Sequence, residues 1–165
     1  MKTCTRCGQT KPLSEFGKHG ITKDGLNDWC KECNAERGRL WRKTPLGIFT
    51  MIKARNAYYD DHPFNISKED FIEWYVGAPK ICVYCDAPEG ISVPFYKKYG
   101  AQADRLSIDC IDNSTGYVKG NLALACNRCN SIKSNLMNFD EMRWVGQTII
   151  KPKWIVFQKE LNNNI

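Results

Sequence analysis

Histidine is nearly absent. His19 and His62 are the only two in 165 residues, and each reads as a lone loop histidine at the surface. Long apolar runs are missing too: no stretch approaches the roughly 20 residues that cross a bilayer. The opening, Met1 to Thr10, is polar and carries Cys4 and Cys7 where a secretory leader would be greasy. The expectation is a cytoplasmic chain, neither secreted nor embedded in a membrane. Its 165 residues, 42% hydrophobic and 25% charged, suffice for one ordinary domain or two small ones and for a packed core. That excludes a large multidomain enzyme and wholesale disorder. Acid is in the minority, 18 Asp and Glu against 24 Lys and Arg, and the net charge of +6 favours a polyanionic partner without requiring one.

What the chain has in excess is cysteine. Eight of nine fall into four CxxC pairs, Cys4 with Cys7, Cys30 with Cys33, Cys82 with Cys85, and Cys126 with Cys129, leaving Cys110 alone. Two cysteines three positions apart can present both sulfurs to one tetrahedral ion, and a second pair completes the four thiolates that structural zinc prefers. Two zinc ions are therefore expected, one per cluster. A disulfide framework is the competing reading, opposed by the missing leader, the odd cysteine and the regular spacing. Thioredoxin-like redox chemistry needs one CxxC at a helix start, not four in two distant clusters.

The spacing also suggests an organisation. Residues 1–36 hold too few apolar side chains for a metal-free core and read as a zinc-dependent knuckle module, in which Gly8 supplies the positive φ of the CxxCG turn. Residues 37–62 read as a basic, mainly helical linker: from Asn34 to Arg55 the chain carries Arg37, Arg39, Arg42, Lys43, Lys53 and Arg55 against a single acid, Glu36, with Pro45 and Gly47 as breaks. Such a run is either a solvated helix face or a phosphate-contacting stretch. Residues 63–165 read as the main domain. Ser67 caps a helix carrying Phe71, Ile72, Tyr75 and Val76 as core, and Asn138 caps another that Pro152 ends. Asn162 to Asn164 should fray.

The most informative stretch runs from Arg105 to Lys133. Leu106 and Ile108, then Leu122 and Leu124, alternate as two half-buried strands would, joined by a turn containing Gly116 and Gly120, and the last CxxC opens a helix. Around it the layout D-x-I-D … G … N-L … C-x-x-C-N-x-x-K, over Lys80 to Ser134, resembles the HNH or ββα-metal endonucleases, especially a phage-borne branch stapled by two CxxC pairs. Residues 4 to 33 resemble, more loosely, the zinc module that precedes phage HNH and recombination endonuclease VII-like domains. The implied fold class is α+β, a small zinc-stabilised protein with a ββα-metal core, an N-terminal zinc module and flanking helices.

The resemblance implies a DNA endonuclease, phage-encoded, with magnesium or manganese as catalytic cofactor beside the two zinc ions. Cutting a phosphodiester calls for a hard divalent ion beside the phosphate, and oxygen ligands suit it. The family's metal ligands fall on Asp109 and Asn130, and its middle asparagine on Asn121, which ties the hairpin loop. Lys133, one turn beyond Asn130, is a candidate for DNA contact together with Arg37, Arg39, Arg42 and Lys43. The departure is Cys110, which stands where the family has its histidine base. A thiol is a poorer water activator at neutral pH, so Asp112 or metal-bound hydroxide would have to serve, or cleavage would be slow. The alternatives are a catalytically weak or inactive zinc-containing DNA-binding protein and a zinc-stabilised interaction module of a phage assembly. Target, homing or other role, nicking against double-strand cleavage, and oligomeric state stay open at this level.

Overall fold

A computed structural model describes residues 1–59, 62–90 and 105–163. The chain divides into two compact units, Met1–Met51 and Ile52–Ile165, and the division falls inside a helix. Part of the HNH-like stretch, residues 91–104, and Asn164 of the expected frayed end lie outside the described residues.

In the first unit, β1 (Lys2–Thr3) pairs antiparallel with β2 (Thr10–Lys11), and β3 (Phe16–Lys18) with β4 (Leu26–Cys30). Helix α1 (Lys31–Lys43) follows directly, with Cys30 at its N-cap. Thr44 then turns the chain: its Oγ1 accepts a hydrogen bond from the Gly47 amide at 3.1 Å, and Pro45 opens α2 (Pro45–Tyr59), where its missing N–H costs nothing. Pro45 and Gly47 thus start a helix rather than break a linker. A Cβ at Gly47 would run into the Trp41 carbonyl, so the turn between the helices demands glycine. The core here is small, namely Cys4, Phe16, Cys30 and Cys33 with Leu26 and Trp29 packed against them. That core is as small as its sparse apolar content suggested.

The second unit contains α3 (Lys68–Gly77), β5 (Ser107–Cys110), β6 (Leu122–Ala125), α4 (Asn127–Lys133), α5 (Phe139–Val145) and α6 (Lys151–Asn163). Ser67 caps α3 by accepting from the Asp70 amide, and Phe71 and Tyr75 turn inward with stacked rings 6.0 Å apart. Val76 is exposed, so the apolar stripe of α3 is narrower than its sequence suggested. Strands β5 and β6 pair antiparallel, Ser107 with Ala125 through Cys110 with Leu122, and α4 leaves the end of β6. Every residue of β6 is buried, as are Ile108, Asp109 and Cys110. The hairpin is covered on both faces, and the expected half-buried alternation gives way to a nearly continuous buried run that includes the carboxylate of Asp109.

Asn138 closes a capping box with Glu141 at the start of α5. Pro152 does not end the helical run. Residues Gly146–Ile150 widen into a π-helical turn, and α6 continues through Pro152. The widening carries a close approach, because a Cβ at Gly146 would meet the Tyr84 carbonyl oxygen. Beside it Gln147 Nε2 donates to that oxygen at 2.7 Å, and Trp154 Nε1 to the Cys85 carbonyl at 3.1 Å, so the C-terminal helices grip the turn at Cys82–Cys85. The architecture is a small α+β protein built from two-stranded hairpins and helices around two cysteine clusters.

Candidate active site and metal centres

Each unit holds one Cys4 group, Cys4, Cys7, Cys30 and Cys33 in the first, Cys82, Cys85, Cys126 and Cys129 in the second, with the four sulfurs of each within 4.8 Å of one another. Four thiolates about 2.3 Å from a central zinc sit about 3.8 Å apart along a tetrahedral edge. Cys4 and Cys33 Sγ lie 3.8 Å apart, and Cys85 and Cys126 Sγ 3.7 Å apart. These are zinc spacings, far beyond a disulfide bond of about 2.05 Å.

Both groups are assembled alike. One pair comes from a turn and the other from a helix start. In the turns, the Gly8 amide donates to the Cys4 carbonyl and the Asp86 amide to the Cys82 carbonyl, both at 2.9 Å. Gly8 takes φ 72° at the residue after the first pair, and Asp86 takes φ 58° at the matching place in the second. Aspartate is among the few residues that tolerate this conformation, and here Lys151 Nζ, 2.6 Å from its carboxylate, holds it. At the helix starts, Cys30 stands at the N-cap of α1 without a side-chain cap bond, while the Cys126 sulfur caps α4, and the helix dipole there favours negative charge. The Cys129 amide donates to Cys126 Sγ at 3.4 Å, and the Cys30 amide to Cys4 Sγ at 3.3 Å.

The second cluster holds β6 and α4 in place, and beside them opens a cavity of about 480 Å³. Asp109 and Cys110 from β5, and Asn127 and Asn130 from α4, line it together. Arg55 and Asn56 from α2 contribute too, as does His62. Asp109 is 7% exposed. Its Oδ2 accepts a 2.5 Å hydrogen bond from the fully buried Tyr84 hydroxyl, and its Oδ1 lies 3.4 Å from Lys133 Nζ. Burial, reinforced by the bond to Asp109, pushes the Tyr84 phenol far up, so it stays a donor.

Lys133 is 1% exposed and corrects its own expectation. Its ammonium spends its protons inside the protein, on Asp109 Oδ1, on the Cys110 carbonyl at 2.7 Å and on Asn113 Oδ1 at 2.9 Å. A lysine so enclosed is neither a solvated helix residue nor a phosphate contact. It balances the Asp109 charge.

Cys110 is 3% exposed, and burial, followed by the neighbouring Asp109 charge, pushes its thiol up to about 12. Both causes favour the neutral thiol over the thiolate. Asp112 is otherwise engaged: one oxygen accepts from the Ser114 amide and hydroxyl, the other from the Thr115 hydroxyl, and these bonds hold its carboxyl below the usual range. It is a turn residue and does not line the cavity. Asn121 crosses the same loop, accepting from the Asp112 amide at 2.9 Å and donating to the Asp112 and Gly116 carbonyls at 2.8 and 2.7 Å.

Of the basic run, Arg39, Arg42 and Lys43 are exposed on α1. Arg37 is exposed as well, but its guanidinium lies 5.0 Å from the Trp29 ring, as does that of Arg6. Sequence reasoning missed the turn donor Tyr84 and the cavity residues Asn56 and His62, and it marked Arg55 only as part of the basic run. Nothing in their spacing pointed to the hairpin, because α2 precedes it by some fifty residues.

Among solved structures, the chain is similar to a rare-cutting HNH restriction endonuclease. That enzyme is PacI, whose structure was described in connection with DNA perturbation; the two chains are 26% identical with a TM-score of 0.52, over 96% of this chain and 99% of that one. No protein family and no curated protein matches the sequence. Among the described residues, no helix is long and apolar enough to cross a membrane.

Proposed function

We propose that the protein is a divalent-metal-dependent DNA endonuclease that hydrolyses phosphodiester bonds at the cavity beside β5 and α4. The observation that carries this reading is the convergence there of one carboxylate, Asp109, with the amides of Asn127 and Asn130 and the guanidinium of Arg55. That donor set is oxygen-rich, with a single charged ligand, and suits a hard ion that keeps most positions for water and phosphate. Magnesium or manganese held by Asp109 and Asn130 would polarise the phosphate and offset charge on the leaving 3′ oxygen. Around it, the chain's own groups have separate tasks. Tyr84 and Lys133 fix the Asp109 carboxylate, Arg55 meets phosphate charge, and Asn121 holds the loop after β5. The similarity to an HNH restriction endonuclease along nearly the whole of both chains supports DNA as substrate. Zinc in both cysteine groups is structural in this reading, and the exposed Arg39, Arg42 and Lys43 add sequence-independent attraction to the backbone. A phage origin and a place in the host cytoplasm accompany the reading from the sequence resemblance.

The test is plasmid nicking with magnesium, manganese or chelator, run beside Asp109→Ala. The parent should cut with metal, and the variant should bind two zinc ions and fold yet not cut. A parent that binds DNA but never cuts, in any DNA form and with either metal, would replace this reading by that of a DNA-binding zinc protein. The buried Cys110 thiol at the family's base position is the observation that favours that second reading.

A further inference from the structure

The family's base position holds a buried thiol, yet an imidazole stands in the same cavity, delivered by a different part of the chain. Residues 62–65 are fastened to the hairpin loop through their backbone, with His62 and Phe64 partly buried and Pro63 and Asn65 exposed. The Tyr117 amide donates to the Pro63 carbonyl at 2.8 Å, and the Asn65 amide donates back to the Tyr117 carbonyl at 3.0 Å, which makes a short parallel bridge between Phe64 and Tyr117. Gly116, at φ 74°, lies so close that a Cβ would collide with the Pro63 carbonyl oxygen. Asn121 Nδ2 donates to the Gly116 carbonyl at 2.7 Å, so the asparagine that ties the loop also anchors this strap. From the other side, Asn56 Nδ2 donates to the His62 carbonyl at 2.7 Å. The partly buried His62 ring sits 6.4 Å from the Tyr117 ring and lines the cavity that Asp109 and Asn130 also line.

We propose that His62 is the general base of this site, supplying from the strap the imidazole that position 110 lacks. The proposal rests on the nuclease reading above. In the step it assigns, the neutral imidazole takes a proton from a water molecule as that oxygen forms a bond to phosphorus. The bond from phosphorus to the 3′ oxygen breaks, the leaving oxygen takes a proton from solvent, and the imidazolium returns its proton to solvent. Products are a 5′ phosphate and a 3′ hydroxyl. The other titratable or charged groups on the cavity wall are fitted to different tasks: Arg55 carries only donors, Asp109 is engaged by Tyr84 and Lys133, the Cys110 side chain is buried, and a Tyr117 phenol is a weak base near neutrality. Asn56 adds an independent sign. Its Oδ1 is buried with no partner among the described residues, and the residue itself lines the cavity while its Nδ2 holds the His62 carbonyl.

The experiment compares the full-length parent with His62→Ala, His62→Gln and His62→Gly. Single-turnover plasmid cleavage is measured across pH with magnesium, and DNA affinity is measured separately in chelator at a concentration that leaves zinc bound. Zinc content and thermal unfolding establish that each variant is folded. His62→Ala and His62→Gln should lose about 10²–10⁴-fold in rate with unchanged affinity, and added imidazole should partly restore His62→Gly. Parental rates in folded His62 variants, or a loss of affinity that accounts for the whole loss of rate, would overturn the assignment while leaving the nuclease reading intact. A parent that never cuts would overturn both.

Discussion

The hydroxyl of Tyr84, a residue lying between two cysteines of the second metal group, donates a 2.5 Å hydrogen bond to Asp109 Oδ2 on β5. Tyr84→Phe keeps the ring, its 5.4 Å contact with Phe139 and the packing volume, and removes only this donor. A buried carboxylate losing a hydrogen bond costs about 2 kcal/mol. Denaturant unfolding should report that loss, and cleavage should fall because Asp109 is less firmly held.

Lys133 makes a sharper case. Lys133→Met leaves the Asp109 carboxylate buried without its cation, and breaking an enclosed pair from one side costs about 3–5 kcal/mol. The double variant Lys133→Met with Asp109→Asn should recover part of that loss. A thermal-shift and denaturant cycle over the four proteins reads the coupling directly, and no recovery would mean that Lys133 stabilises by its bonds to Cys110 and Asn113 instead.

Asp86 offers a test in pH. The Lys151 ammonium, 2.6 Å away, holds its carboxyl below the usual carboxylate range. A lowered folded pKa gives stability that is present above the unfolded value near 3.9 and lost as pH falls through the folded one. Asp86→Asn keeps a side chain that accepts the 58° φ and removes the charge. Its unfolding midpoint should therefore depend less steeply on pH below about 4 than the parent's.

The basic face of α1 should reveal itself through salt. Neutralising Arg39, Arg42 and Lys43 together should lower the slope of log affinity against log salt by roughly 0.9 for each phosphate that the helix ceases to neutralise. Arg37→Gln should change that slope less, because the Arg37 guanidinium is partly committed to the Trp29 ring. Equal slopes for the triple variant and the parent would return α1 to the role of a solvated face.

Much of the fold is legible in the sequence because its determinants are local. The CxxC spacings fix two pairs each to a turn and a helix start, and Ser67 and Asn138 announce their helices through short-range capping. Pro152 misleads because its cost falls on a backbone already widened at Gly146–Ile150, where Gly146 packs against the distant Tyr84 carbonyl. Lys133 misleads for a related reason: its charge promises solvent, while its partners on β5 and at Asn113 are some twenty residues away. Asp109, Asn121 and Asn130 can be marked from pattern alone. His62 cannot, since only the bridge to Tyr117 brings its segment to the hairpin.

The position of Tyr84 has a practical consequence for anyone asking which metal this protein needs. The residue that steadies Asp109 lies in the loop whose ends are two cysteines of the second group, so, on the proposed reading, stripping a thiolate-bound zinc would slacken the carboxylate proposed for the catalytic ion. A strong chelator would then abolish cutting twice over, and returning magnesium would not bring it back. Only zinc resupplied before magnesium should restore the enzyme, and that order of addition separates the ion that shapes the site from the ion that works in it.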